Sequence, residues 1–595
     1  MDASGAFVAT GEMGRRPSVR VWRAVGADHV ITLPPVHVRA VISLSFDPSG
    51  HFLMSVGDDD MHTVAVYYSA AGDWHDAVLV GKEQSDTNMV LFSRCLPPAD
   101  GRSPGAYHAV TGGKKHLKFW QFPVTATGAA GSTRTTTTAL SSGRSRSHGL
   151  STKKGLMGEH LGSIATDAVI IGSGSSWALI VGTTDGSLLN YGQDRRYSSS
   201  AKVGAGVTAM WGFEGGLVVG TAAGGVHVFD LGLAKTSSYN APGSSGFGAL
   251  VRSVALRPDG RSLLVGTALC EVWEVTRDTA NASRLVKGHY GRGEVWGLAV
   301  APGSGQADSG NPFLAATSGD DGDIIVWDLQ RRVAVSVTNV SDPAAHGAPV
   351  RTLSWTGAWG NKAGVGGARA PYGLIAAGIG GRLGGTRADA TNSGEVCLFD
   401  PAAGKVLSGL KVTDADINSL LISPDGTRMA MGCADTKVYI AAVTGESGAV
   451  PSFEVQQVCN KNTSVVRHVL ATDAELTDRG IVFASMNCVF GEKVAGIWPA
   501  YSDNTDVNAT DTSPDGKLLA TADDYGDVRL FKYPSTHRRS ASVAGVGAHS
   551  SHVTNVRFTR DGSHVLTTGG NDRTLMQWRV TGGADSSGAS STSHK

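Results

Sequence analysis

The chain has 595 residues, too many for one hydrophobic core, so two or more domains are expected. Its 52 basic and 52 acidic residues cancel, leaving no global field to favour nucleic acid or a membrane surface. With 79 glycines and abundant Ser, Thr and Val, strands and turns are favoured over helices, and no apolar run approaches the ~20 residues of a membrane-spanning helix. Met1-Asp2-Ala3-Ser4-Gly5 has neither the basic nor the apolar region of a signal peptide. The cysteines (Cys95, Cys270, Cys397, Cys433, Cys459, Cys488) form no C-x-x-C pair, so buried free thiols in a reducing, intracellular setting are expected.

One phrase recurs along the chain: an alternating apolar strand, a tight turn, and a second strand. The turn reads Asp47-Pro48-Ser49-Gly50, Arg257-Pro258-Asp259-Gly260, Ser423-Pro424-Asp425-Gly426, Ser513-Pro514-Asp515-Gly516 and Thr559-Arg560-Asp561-Gly562. Proline presets φ at the first corner, Asp or Ser bonds back to the backbone, and Gly accepts positive φ. Such repetition signals a repeat architecture. In chain order the phrase marks a partial unit near 7–23, then 41–68, 90–122, 168–192 and 207–230. The Gly/Ser-rich stretch from Lys235 to Gly248 reads as a junction, followed by units at 251–275, 294–328, 350–400, 416–443, 465–498, 506–533 and 553–580.

About twelve units of about four strands each predict an all-β fold of tandem propellers, whose radial sheets leave few exposed edges. The expected layout is an N-terminal propeller over 1–240, a seven-bladed propeller over 250–580 and a tail at 581–595 that is disordered by composition. The first half opens on Phe7–Gly11 and Val19–Trp22 without a preceding strand, so the N-terminal propeller is expected to be incomplete. Two low-complexity stretches interrupt the pattern: a basic, Ser/Thr-rich loop from Thr125 to Gly155, and a Gly-rich inter-strand insertion from Trp359 to Ser393.

Two spacings sharpen the repeat. An Asp lies six residues before a Trp in Asp572/Trp578 and Asp321/Trp327, and a His lies four before a strand Val in His549/Val553 and His346/Val350. These are the parts of a WD40 repeat. A buried Asp must be paired, and a His N–H with backbone donors does so, which makes the set a structural lock on each blade rather than a catalytic pair. There is no nucleophile elbow, no Ser/His/Asp order in a hydrolase context and no metal-ligand cluster, so neither an enzyme nor a cofactor is expected.

More specific stretches follow. Val494-Ala495-Gly496-Ile497-Trp498-Pro499-Ala500-Tyr501 through Ala509, and Ala522-Asp523-Asp524-Tyr525-Gly526-Asp527 through Pro534, closely resemble the echinoderm microtubule-associated protein-like (EMAP-like) family. So do Ala548–Val556, Gly293–Ala299, Val110–Trp120 and the opening Ala9–Trp22. The resemblance implies tandem atypical propellers that bind tubulin and associate with microtubules, in the cytoplasm or in cilia. The family's hydrophobic HELP segment and N-terminal coiled coil have no counterpart in these residues. The first propeller is therefore expected to be cut short, and binding to lack the avidity of linked copies.

A propeller meets partners on its rims, through loops. Tubulin is acidic, so the basic candidates are Arg144, Arg146, Lys153 and Lys154 in the long loop, and Lys114 and Lys115 in a turn. The plainer reading of each is a solvated charge that keeps the surface soluble. Gly288–Gly293 and Gly569-Gly570 read as turns rather than phosphate cradles, since neither joins a strand to a helix. Asp58-Asp59-Asp60 reads as a tight turn before a cation site. Expected partners are tubulin and other proteins, not nucleic acid or membrane. The alternative function is a WD40 scaffold for a ciliary transport or ubiquitin-ligase adaptor complex.

Overall fold

The computed structural model describes residues 1–97, 108–122, 150–172, 176–240, 250–290, 293–302, 313–340, 348–357, 359, 372–380, 394–423, 425–445, 449–459, 492–498, 506–537, 540, 542–547 and 549–581. Across them run eleven antiparallel sheets, at 7–32, 41–83, 90–154, 165–202, 207–240, 251–287, 295–339, 350–411, 417–459, 507–547 and 553–579. The first and last have three strands and the other nine have four, in chain order within each sheet. Each sheet coincides with one sequence unit. The remaining unit, 465–498, lies outside the described residues except at its end, where Glu492–Ile497 is a 3-10 helix rather than a strand.

The recurrent turns close as their residues require. Each Gly N–H donates to the carbonyl three residues earlier: Gly50 to Asp47 (3.0 Å), Gly260 to Arg257 (2.9 Å), Gly426 to Ser423 (2.8 Å), Gly516 to Ser513 (2.8 Å) and Gly562 to Thr559 (2.9 Å). The glycine φ angles of +66° to +77° lie where a Cβ would be strained.

Within each unit, first strands of neighbouring sheets pack on one another, as Val41–Phe46 does on Val90–Cys95 and Val295–Val300 on Val350–Thr356, so first strands are innermost. Second strands such as Gly216–Thr221 and Leu314–Gly319 are buried along their whole length. An innermost strand has one edge without a ladder partner. Side chains of the preceding sheet satisfy it: Ser93 N donates to Ser43 Oγ (2.8 Å), Cys95 N to Ser45 Oγ (2.9 Å), Met210 N to Asp167 Oδ2 (3.0 Å), Ile422 N to Ser354 Oγ (3.3 Å) and Phe558 N to Asp511 Oδ2 (2.7 Å).

The chain divides into two compact units, Met1–Leu285 and Val286–Lys595. In the first, the Trp22 Nε1–H donates to Thr10 Oγ1 (2.8 Å), the same bond that joins the third and second strands in other sheets. Phe7–Gly11 therefore takes the place of a second strand, and the three strands of this sheet match the outer three of a four-stranded one. In the second unit the last sheet packs on the first. Thr554 Oγ1 donates to Val295 O (2.5 Å), Asn555 Nδ2 to Trp296 O (3.2 Å) and Arg573 Nε to Gly293 O (2.9 Å).

Several expected boundaries move. The division falls after Leu285 instead of in 240–250, because Val251, Val254 and Leu263 share one core with Val218 and Val228. The sheet at 251–287 thus lies with the first unit, apart from its last two residues, and is not a blade of the second. Lys235–Asn240, read as junction, is the outer strand of sheet 207–240. Ser151–Lys154, read as loop, is the outer strand of sheet 90–154, and Leu374–Ile379, read as insertion, is a buried second strand. No helix is long and apolar enough to cross a membrane among the described residues.

Candidate functional site

The lock is clearest in the last sheet. His549 Nδ1 lies 3.0 Å from Asp572 Oδ2, and His549 Nε2 lies 2.8 Å from Thr567 Oγ1. The Trp578 Nε1–H donates to the same hydroxyl at 3.0 Å. Trp has only a donor and Thr a single proton, so one assignment satisfies every group. Thr567 accepts from Trp578 and donates to His549 Nε2, leaving the Nδ1–H to donate to Asp572. Gly569 is required here, since a Cβ on it would sit 1.8 Å from Asp572 Oδ1 and 2.5 Å from His549 Nδ1.

Sheet 295–339 repeats this arrangement, with His289 supplying the ring. His289 Nδ1 lies 3.0 Å from Asp321 Oδ2 and His289 Nε2 lies 2.9 Å from Thr317 Oγ1, to which the Trp327 Nε1–H donates at 2.7 Å. Burial opposes the Asp321 charge, but His289 and the N–H groups of Tyr290 and Asp323 outweigh it and lower its pKa. His346 lies outside the described residues. The segment Gly288–Gly293, read as a bare turn, supplies this lock from His289.

Sheet 90–154 builds the same network with the two ends exchanged. His116, on the third strand, lies 2.8 Å from Thr111 Oγ1 through Nε2 and 3.2 Å from Asp86 Oδ2 through Nδ1. Asp86 comes from the loop where the other sheets carry histidine, and the Trp120 Nε1–H donates to Thr111 at 2.9 Å. Burial drives the His116 pKa down to about 4. It works against the Asp86 carboxylate too, but N–H donors from Asn88, His116 and Lys118 hold that group well below the usual range.

Two further sheets carry looser versions. His160 Nδ1 lies 2.9 Å from Asp185 Oδ2, and His37 Nε2 lies 2.7 Å from Ser55 Oγ. Asp59, in the acidic trio, accepts from the N–H groups of Met61 (3.2 Å) and Thr63 (3.0 Å), which is the tight-turn role. The threonines, His289, Asp86 and the role of His116 escaped sequence reasoning. Thr111, Thr317 and Thr567 each stand two residues before the Gly that ends their strand, a signal that was there to be read.

These locks tie the strands of their sheets together. What they position is a face: the histidine-bearing loops and the turns between second and third strands emerge on the same side of each unit. Lys114 and Lys115 occupy such a turn, between Ala109–Gly113 and His116–Gln121, and both are exposed. Lys153 and Lys154 are exposed on the outer strand of the same sheet, opposite Phe119 and Lys118. Two candidate segments some 40 residues apart thus converge on one sheet. Arg144 and Arg146 lie outside the described residues. Among the described residues no group of three or more His, Cys, Asp or Glu is arranged to hold a metal ion.

Two family models match the chain: the echinoderm microtubule-associated protein second beta-propeller over residues 471–580, and the WD domain, G-beta repeat, over 282–328. Neither is an enzyme family. Over 97% of its length the chain is 29% identical to echinoderm microtubule-associated protein-like 2 of Rattus norvegicus, covering 81% of that protein. It is 26% identical to echinoderm microtubule-associated protein-like 1 of Mus musculus, covering 65%, and 25% identical to the ciliary WD repeat-containing protein ctxp80 of Euplotoides octocarinatus, covering 75%. Consecutive four-stranded sheets, Trp–Thr–His–Asp locks and alignments that run through both units agree: the chain resembles the EMAP-like WD40-repeat proteins over nearly its whole length.

Proposed function

We propose that this protein is a non-catalytic microtubule-associated protein that binds tubulin through the rim of its first unit. The observation that carries the reading is the convergence of Lys114, Lys115, Lys153 and Lys154 on one sheet, all exposed. Neighbouring acids are already engaged, Asp86 by His116 and Lys118 and Asp185 by His160, so the charge this sheet itself offers a partner is basic. The names of the relatives support a microtubule partner and, for one of them, a ciliary setting. The cytoplasm and its microtubule cytoskeleton are the proposed location, the cilium included. Co-sedimentation of the full chain with microtubules over a salt series tests this. Binding should weaken as salt rises, because exposed charges are screened, and a K114E/K115E/K153E/K154E variant should lose it. No binding by the unaltered chain at low salt would sink the tubulin reading.

A further inference from the structure

The lock face of the first unit carries apolar side chains that nothing in the fold requires to be there. Met13 (88% exposed), Val38 (60%), Leu156 (76%) and Leu161 (59%) stand out to solvent, with Met89 and Leu91 partly so. They are not scattered. Met13 lies in the turn between the second-strand equivalent Phe7–Gly11 and Val19–Arg23. Val38 and Met89 lie in loops between sheets, Leu91 at the start of an innermost strand, and Leu156 and Leu161 around the 3-10 turn Gly158–Gly162.

Backbone hydrogen bonds lace these loops into one arc. Gly14 N donates to Arg39 O (2.7 Å), Arg16 N to Val38 O (3.2 Å), Asp58 N to Ala40 O (2.8 Å), Ser85 N to Met61 O (3.0 Å) and Lys114 N to Met89 O (2.9 Å). Lys114 in turn bridges to Ile164. The arc therefore spans the seams between four consecutive sheets, and its loops are held in place.

The second unit serves as an internal control. At the innermost-strand positions equivalent to Leu91 it carries Trp296, half-buried with its N–H on Asp320 (3.1 Å) and Arg351 over its ring, Arg351 itself, ion-paired to Asp320 at 2.7 Å, and Asn508, bonded to Asp524 at 2.8 Å. Exposed apolar residues there, such as Val335, Val406 and Val458, lie on outer strands instead, and Tyr525 is the exposed large ring on its lock face among the described residues. The same repeat can thus present a polar lock face, and in the first unit it presents an apolar one.

Charge says what would cover it. Arg15 and Arg16 flank the arc at one end and Lys114 and Lys115 at the other; all four are exposed and make no ion pair among the described residues. Asp60 is taken by Arg39 (2.7 Å) and Asp86 by His116 (3.2 Å), leaving Asp58 and Glu159 as the exposed acids nearby. We infer that this face docks an acidic polypeptide that also carries apolar side chains, the apolar arc supplying salt-resistant affinity and the two basic ends supplying register. For the partner's identity the inference rests on the tubulin reading; for its chemistry it does not.

Two arms of one experiment keep these apart. Full-length protein is titrated with a short fluorescent peptide of glutamates interspersed with leucines, with an all-glutamate peptide of equal length, and separately with tubulin. The variant M13S/L156S/L161S alters only exposed side chains, so its thermal transition should match that of the unaltered protein. The leucine peptide should bind at least about tenfold more tightly than the all-glutamate one. The variant should lose that margin, and its tubulin affinity should fall by a similar factor at high salt. Equal binding of both peptides, no binding of either, or a variant that keeps the margin would overturn the inference. Self-association abolished in the variant would make the occupant a second copy and overturn it too. If the leucine peptide binds as described but tubulin does not, the tubulin reading fails and the docking face stands.

Discussion

Replacing Thr567 by Val tests whether the hydroxyl at the centre of a lock does what its geometry implies. The substitution keeps the shape and removes one oxygen. That oxygen is shared by His549 Nε2 at 2.8 Å and Trp578 Nε1 at 3.0 Å, and the threonine is completely buried. Two hydrogen bonds are lost, and the histidine acceptor is left without a partner in a dry site. A net loss of about 1 kcal/mol per bond, with a further ~1–3 kcal/mol for the stranded buried group, gives about 3–5 kcal/mol. For a unit of this size that is a drop of roughly 5–8 °C in the transition of the second unit, read by calorimetry on the full chain. Thr567→Ser, which keeps the oxygen and loses a methyl, should cost only about 1 kcal/mol. If Val proves as mild as Ser, the shared-hydroxyl assignment is wrong and the lock is held by packing alone.

Three other outcomes follow from the same geometry. His289→Ala should destabilise the second unit by about 3 kcal/mol by stranding the buried Asp321 carboxylate; a denaturant titration showing a loss below about 1 kcal/mol would contradict this. The folded His116 pKa of about 4 lies below its ordinary 6.5, so between those values the unfolded chain binds more protons. The first unit should then lose up to about 3 kcal/mol as pH falls from 6.5 to 4. A pH-independent transition, or one that H116Q does not flatten, would contradict this. Among the described cysteines, exposed Cys270 should react with a thiol reagent in the native state far faster than Cys95, Cys397 and Cys433, whose thiols burial pushes up to about 12; mass spectrometry that finds those three labelled equally fast would refute it.

The inner hairpins were legible because their strands alternate or run apolar between turns of fixed chemistry. The outer strands were not. Ser151–Lys154 is exposed at every residue and Lys235–Asn240 at most of them, so neither carries the apolar alternation that announces a strand. They read as a loop and a junction, and the domain boundary was misplaced with them. The Asp-to-Trp spacing was reliable because a tight turn and half a strand fix it. The histidine spacing was not, because the loop before the first strand can vary: His549 precedes Val553 by four residues, but His289 precedes Val295 by six. The exchanged pair Asp86 and His116 obeys the same hydrogen-bond geometry in reversed sequence order, and a linear pattern cannot see that. That Lys114 and Lys154 share a sheet depends on strand register across a long intervening segment, which composition does not encode.

The side-chain clips between innermost strands have a kinetic meaning. Each described clip runs from a side chain of one sheet to the backbone of the next, as Asp511 does to Phe558, so loosening a sheet that carries one uncaps its follower. In an open stack of repeats the terminal repeat can peel away first, because one of its faces has no neighbour. In the second unit the last sheet grips the first through Thr554 and Asn555, 259 residues away in the chain, and that starting point for fraying is gone. Its resistance to unfolding should then reside in the height of a barrier rather than in a large equilibrium margin, and a single backbone nick at an exposed turn should leave the first and last sheets joined for as long as that seam holds.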